Sequence, residues 1–189
     1  GKIVISGPQN VSLDGVVQDP DGKEGFRLGG WFGQFGGKDL EEWNELALAT
    51  APVATEANVP MIVMAAATSI IPQRSPFIVR SGFTLPQVTA PIAEWAARNG
   101  IKRVVSLVTD YAPGLDAEKT FVKRFGEAGG TIVDSLRTPL RNPDYGPFLQ
   151  RAKDARPEAL FVFVPSGEGT ALMKQFAERG LREAGVRLI

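Results

Sequence analysis

Residues 103–136 read RVVSLVTDYAPGLDAEKTFVKRFGEAGGTIVDSL. The stretch opens with an almost unbroken apolar run, RVVSLV (103–108), which is the pattern of a strand buried on both faces. It continues through a segment in which Ala117, Phe121, Phe125 and Ala128 share one helical stripe. That stripe stops at Gly129 and Gly130, where a left-handed C-cap costs least, and a second strand, TIVDSL (131–136), follows. Strand, helix and strand joined so briefly predict a parallel βαβ unit.

The same alternation extends in both directions. LFVFV (160–164) and VRLI (186–189) read as further strands downstream, VPMIVMAAA (59–67) and PFIVR (76–80) as strands upstream. Between them lie a helix carrying Tyr145, Phe148, Leu149 and Ala152 with Asp144 as N-cap, and another opening after Thr170 with Leu172, Met173, Phe176 and Ala177. These aromatics and methionines are expected in the core. Thr84–Gln87 (TLPQ) fits a capping box ahead of the helix that carries Val88, Ile92 and Trp95, and Pro91 should bend that helix or delay its start. The expected fold is therefore α/β: a three-layer, doubly wound, mostly parallel sheet.

Residues 1–50 differ in style. KIVIS and NVSLDGVV suggest strands, and DPDGKEGFRLGGWFGQFGGKD (19–39) is a glycine-dense loop of the length usually reserved for function. DPDGKE (19–24) has oxygen ligands on alternate residues but lacks the closing glutamate of a calcium loop, so a solvated turn is the plainer reading.

Composition excludes several function classes. Lys plus Arg and Asp plus Glu balance at 21 each across 189 residues, which leaves no basic surface for tracking nucleic acid. With no cysteine and no histidine, thiolate chemistry, disulfides, zinc-cysteine sites and the usual neutral-pH base are all absent. No cofactor is expected, since no dinucleotide fingerprint, P-loop or nucleophile elbow occurs. VPMIVMAAATSII is too short to span a bilayer, and the N-terminus shows no secretory leader, so no membrane insertion and no secretion are expected.

In a doubly wound sheet, ligands bind beyond the carboxyl ends of the strands, where helix N-termini present free amides. The residues just past each expected strand are Ala67, Thr68 and Ser69; Asp110 and Tyr111; Arg137 and Thr138; and Ser166, Gly167 and Glu168. Hydroxyls and amides there suit a small carboxylate, and Glu168 or Asp110 could hold an ammonium group. The competing reading is that Thr68, Ser69, Asp110 and Ser166 merely cap helices.

The segments APVATEANVPMIVMAAATS, SPFIVRSGFTLPQ, GIKRVV, DYAPGLDAEKTF, NPDYGPFLQR and VPSGEGTALMKQFAERGL occur in order from residue 47 to the end. In this order they closely resemble type I periplasmic binding proteins, nearest the branched-chain amino-acid group of ABC transporters. The resemblance implies two α/β lobes closing on a ligand, with SGFTLPQ as the first crossing between lobes, a remnant of lobe one over 51–83 and lobe two over 84–189. It further implies that Ala67 and Thr68 meet the ligand carboxylate, Tyr111 closes over it and Glu168 holds its ammonium group. Ser69, Asp110 and Ser166 are weaker candidates. It implies a small-molecule carboxylate or amino acid as partner and a periplasmic parent.

Residues 2–46 resemble something else, the opening of dihydrofolate-reductase-like domains of riboflavin biosynthesis, on VSLDGVV and GGW. The later segments that would hold NADPH in that family are missing, so reductase activity is not expected. The stretch WNELALATAPVATEA then reads as a join near Leu46–Thr50, making the chain a truncated chimera with impaired transport function and exposed strand edges. Such edges invite a homo-oligomer, including one with swapped elements. Two other outcomes stay open: an enzyme with a carboxylate or metal-assisted hydrolytic site formed from Asp14, Asp110, Tyr111 or Glu168, and an inactive structural chimera.

Overall fold

The computed structural model describes residues 5–6 and 50–189, apart from 65, 142 and 166. The chain divides into two compact units, Gly1–Phe83 and Thr84–Ile189.

In the first unit, β1 (Ile5–Ser6), β2 (Met61–Val63) and β3 (Ile78–Arg80) form a parallel sheet in the order β1-β2-β3. A helix, α1 (50–56), and a 3-10 turn, Ile71–Arg74, lie on either side of β2 in sequence. The small core comprises Ala51, Met61, Val63, Ile71 and Ile78. Strand β2 is much shorter than the expected run 59–67. After Val63 the backbone leaves the sheet, and the carbonyls of Ala66 and Thr68 bond the Arg80 guanidinium instead of a neighbouring strand.

The second unit contains α2 (Leu85–Arg98), β4 (Arg103–Thr109), α3 (Ala112–Glu127), β5 (Thr131–Thr138), α4 (Gly146–Asp154), β6 (Ala159–Phe163), α5 (Gly169–Glu178) and β7 (Arg187–Leu188). All four strands are parallel, in the order β5-β4-β6-β7. Alternation along β4 explains the apolar run RVVSLV. Val104 and Val108 pack with Ala93, Ala96, Ala117, Phe121 and Phe125 of α2 and α3, whereas Val105 and Leu107 pack with Leu149, Ala152, Leu172 and Phe176 of α4 and α5. Each face of the sheet is thus covered by its own helices, a three-layer arrangement. Phe121 stacks on Phe161 of β6 with ring centroids 4.0 Å apart, tying α3 to the sheet centre.

The capping box at Thr84 and Gln87 is present, and Gly129 ends the α3 region at φ +84° as the sequence predicts. Several other expectations need correction. Helix α2 starts at Leu85, so Pro91 does not delay it. Its buried face is Leu85, Thr89, Ala93 and Ala96, while Val88, Ile92 and Trp95 are partly exposed, because the small residues permit close approach to α3. Met173 and Ala177 face outward while Leu172 and Phe176 fill the core. Helix α5 begins at Gly169, ahead of Thr170. Tyr145, not Asp144, is the N-cap of α4; Asp144 caps from one residue further out, accepting from the Gly146 amide at 2.9 Å. Asp14, the 19–24 turn and the reductase-like residues apart from Ile5–Ser6 lie outside the described residues.

Candidate functional site

In the second unit the strand order places the reversal of winding beside β4: the chain goes from β4 out to β5, then returns across β4 to β6. The carboxyl ends of β4 and β6 therefore flank the switch point, where open α/β sheets bind ligands. Two aromatic rings occupy it. Tyr111, just past β4, and Phe163, the last residue of β6, have centroids 6.4 Å apart and planes tilted by 34°. Both are half-buried. Phe163 was missed in the sequence because LFVFV reads as uniform core; only its place as the final residue of the central strand could have distinguished it.

Tyr111 is fixed from below. It is the N-cap of α3, and the first turn of that helix approaches the end of β4 closely at Gly114. A Cβ on Gly114 would stand 2.0 Å from the Thr109 carbonyl oxygen, so any other residue would push the helix start away from the strand. Asp110 is exposed, its amide donating to the Thr138 carbonyl at 2.8 Å. The Thr138 side chain is not available to a ligand: it is fully buried and shares a hydrogen bond with Thr109 at 3.3 Å. Arg137 turns to the α3 face, where it donates to buried Glu118 at 2.8 Å.

Past β6, Gly167 takes φ +96°, a turn suited to glycine, and Glu168 becomes the N-cap of α5 without a capping bond from its side chain. Its carboxylate is thereby left out of helix capping. Next to it stands Tyr145, wholly buried among Leu149, Leu172 and Phe176. Burial pushes the Tyr145 phenol up to about 12, and the negative charge of Glu168 adds to the rise. Ser166 lies outside the described residues.

The first unit contributes a separate constellation. Thr68 is 2% exposed and its hydroxyl has no hydrogen-bond partner. Arg80 holds the carbonyls of Ala66 and Thr68, the latter at 2.5 Å. Because a trans peptide sets its N–H opposite its carbonyl, the amides of Ala67 and Ser69 are directed away from Arg80. A guanidinium thus orients the turn that carries the one buried, unpartnered hydroxyl.

Among the described residues no cluster of three acidic groups could hold a metal ion, and no helix is long and apolar enough to cross a membrane.

Comparison with known proteins gives a consistent picture. The periplasmic binding protein family model matches residues 42–189. A Leu/Ile/Val-binding protein homologue of Brucella abortus strain 2308 is 45% identical over 143 residues, covering 75% of this chain and 37% of that protein. A solute-binding protein of an ABC transporter from Rhodopseudomonas palustris BisB5, in complex with 3,4-dihydroxybenzoic acid, is 60% identical with a TM-score of 0.70, over 75% of this chain and 39% of that one. Another from R. palustris, in complex with 4-hydroxybenzoate, is 46% identical with a TM-score of 0.71 over the same shares. The chain thus spans well under half the length of these relatives. The match begins at Glu42, upstream of the expected join at Leu46–Thr50, and no comparison supports a reductase origin for what precedes it.

Proposed function

Because the chain belongs to the periplasmic binding protein family, we propose that it binds an aromatic carboxylate of the hydroxybenzoate type as the solute-recognition part of an ABC transporter. The observation that carries this reading is the Tyr111–Phe163 pair at the switch point, an apolar, aromatic-lined seat suited to a flat ring. Relatives at 60% and 46% identity in complex with hydroxylated benzoates support it. In the first unit Thr68 is a separate candidate for a carboxylate, through its buried, unpartnered hydroxyl. In the second unit Tyr111 and Phe163 take the ring. Glu168 then accepts a hydrogen bond from the ring hydroxyl, a role that replaces the ammonium contact expected for an amino acid.

A thermal-shift screen against 4-hydroxybenzoate, benzoate, leucine, isoleucine, valine and NADPH tests the reading. A ligand at a hundredfold excess over its Kd adds about 2.7 kcal/mol to stability. Stabilisation by hydroxybenzoate that Glu168→Ala weakens is expected; stabilisation by leucine alone would move the ligand to the amino-acid class.

Self-association is part of this proposal. Strands β5 and β7 each pair on one side only among the described residues, and an unpaired edge is a template for a second copy. Light scattering that finds only monomer at micromolar concentration would remove it. A separate ancestry for residues 2–46 rests on VSLDGVV and GGW alone, and a protein from which those residues are deleted and which still binds hydroxybenzoate would show them dispensable.

A further inference from the structure

A groove lies beside the edge strand β5, between that strand and α3. Leu115, Lys119, Val122 and Lys123 line it from the helix, Ser135 and Arg137 from the strand, and buried Glu118 lies at its base, around an open volume of about 550 Å³. One of its cations is locked in place. Ser106 donates to one oxygen of the Glu118 carboxylate at 3.0 Å, and Nε and Nη2 of Arg137 donate to the other at 3.1 and 2.8 Å. That grip leaves the Arg137 side chain half exposed, with further guanidinium donors already ordered. Lys119 is exposed one helical turn from Lys123, which is 71% exposed and meets Glu127 only at 3.9 Å. Three cations thus face the groove, and its one carboxylate is committed to Arg137 and Ser106.

The strand adds main-chain groups. Among the described residues β5 pairs only with β4, and in a parallel ladder alternate residues direct their N–H and C=O to the neighbour. The Thr138 carbonyl accepts from the Asp110 amide, so Thr138 and Leu136 turn to β4 while Ser135 and Arg137 turn to the open side. The Ser135 amide is covered by the Asp134 carboxylate at 2.9 Å, and Pro139 has no N–H. What stays open is short: the Ser135 carbonyl and both main-chain groups of Arg137, beside the locked guanidinium.

We propose that this groove docks a short extended segment of a protein partner that carries both carboxylates and apolar side chains. Positions 115 to 123 of α3 span about 12 Å, a length that three or four extended residues cover at about 3.3 Å each. A free anion cannot span the three cations, and three cations are too few to hold a nucleic-acid backbone. Leu115 and Val122, set among the cations, suit apolar side chains of the same segment, and the open groups of Arg137 suit its main chain. A second copy is a poor occupant, because a two-fold axis that sets β5 on β5 brings the Lys119, Lys123 and Arg137 clusters of both copies together. Self-association through an edge is thereby left to β7. The proposal is independent of the acid bound at the switch point, since the groove shares no residue with the Tyr111–Phe163 seat.

The experiment is fluorescence anisotropy of a fluorescein-labelled hexapeptide, Glu-Glu-Val-Val-Glu-Glu, titrated with the 189-residue chain. Extended, each face of that peptide presents a valine between two glutamates; Lys-Lys-Val-Val-Lys-Lys is the control of reversed charge. The expected result is saturable uptake of the acidic peptide alone, weakened about tenfold in the double variant Lys119→Glu/Lys123→Glu and about threefold in Val122→Ser. Melting temperature and 4-hydroxybenzoate affinity should hold at wild-type values in both variants, because the substituted side chains are exposed. No saturation with the acidic peptide, equal uptake of both peptides, or an affinity untouched by the charge reversal would overturn the proposal and leave the hydroxybenzoate reading standing. Displacement of the peptide by inorganic phosphate at equal concentration would reduce the groove to a simple anion site, and self-association abolished by the charge reversal would assign it to a second copy; either result overturns the protein-partner assignment.

Discussion

The rings of Tyr111 and Phe163 lie 6.4 Å apart at the ends of two adjacent parallel strands, one ring from the turn after β4 and the other from the last residue of β6. A seat built this way depends on strand order, since only the β5-β4-β6 arrangement brings these two strand ends together. Replacing either ring by leucine keeps most of the apolar volume and removes the aromatic surface. Tyr111→Leu and Phe163→Leu are each expected to weaken hydroxybenzoate binding three- to tenfold, about 0.5–1.5 kcal/mol, by calorimetry. Unaltered affinity in both variants would move the ring elsewhere.

Thr68 offers a sharper separation of stability from binding. Its hydroxyl is buried without a partner, so the isosteric Thr68→Val should stabilise the protein, by on the order of 1 kcal/mol in urea unfolding. If the hydroxyl serves a ligand carboxylate, the same variant should lose about tenfold in affinity. A variant that is more stable and binds as well as wild type would make Thr68 a packing residue.

Much of the second unit was legible in the sequence because period and punctuation agree there. RVVSLV has no polar face and so must be covered on both sides; Val104 and Val105 indeed enter different cores. Legibility failed where tertiary contacts outrank local pattern. Nothing in VPMIVMAAA announces that Arg80, far along the chain, will take the carbonyls of Ala66 and Thr68 and so end the strand at Val63. Met173 shares the helical stripe of Leu172 and Phe176 in projection, but α5 is short and only two of its side chains reach the core. Among the candidate residues, Thr68 of the first unit and Tyr111 and Glu168 of the second are named by counting from strand ends. Phe163 is not, since a ring at a strand terminus looks like any core aromatic until strand order is known.

Glu118 shows how the sheet carries charge away from the ligand seat. It is 5% exposed, accepting from Ser106 at 3.0 Å and from Arg137 at 2.8 Å. Ser106 also bonds Ser135 at 3.0 Å, which links β4 to β5 through side chains. Glu118→Ala strands the Arg137 guanidinium, which is half exposed and so partly rescued by water. A loss of about 2 kcal/mol in urea unfolding is expected, with hydroxybenzoate affinity unchanged.

At the opposite end of the sheet, Glu158 accepts from the amides of Lys102 and Arg103 at 2.5 and 3.1 Å, bonds that hold its carboxyl below the usual value. A lowered folded value means that the carboxylate stabilises the fold above pH 4.5 and that this contribution fades as pH falls through the folded value. Glu158→Gln should therefore reduce stability at neutral pH and flatten the acid limb of the stability profile. An acid limb identical to wild type would mean the two amides are satisfied equally by the neutral side chain.

The alkaline limb belongs to Tyr145. Its phenol is raised from 10.0 to about 12, first by burial and then by the charge of Glu168. The folded state thus keeps the proton over a range in which the unfolded chain releases it. The associated stability is fully present below pH 10 and is lost as pH climbs toward 12, a fall of order 2 kcal/mol for a shift of this size. Tyr145→Phe removes the group, so its alkaline limb should be shallower than that of wild type between pH 10 and 12. Glu168→Gln removes only the second cause and lowers the folded value somewhat, so the limb should end at a lower pH and lose less stability without disappearing, since burial remains. The chain contains only two tyrosines, so ultraviolet titration can follow Tyr145 directly in a Tyr111→Phe background. A phenol that ionises near 10 there would refute its burial beside Glu168.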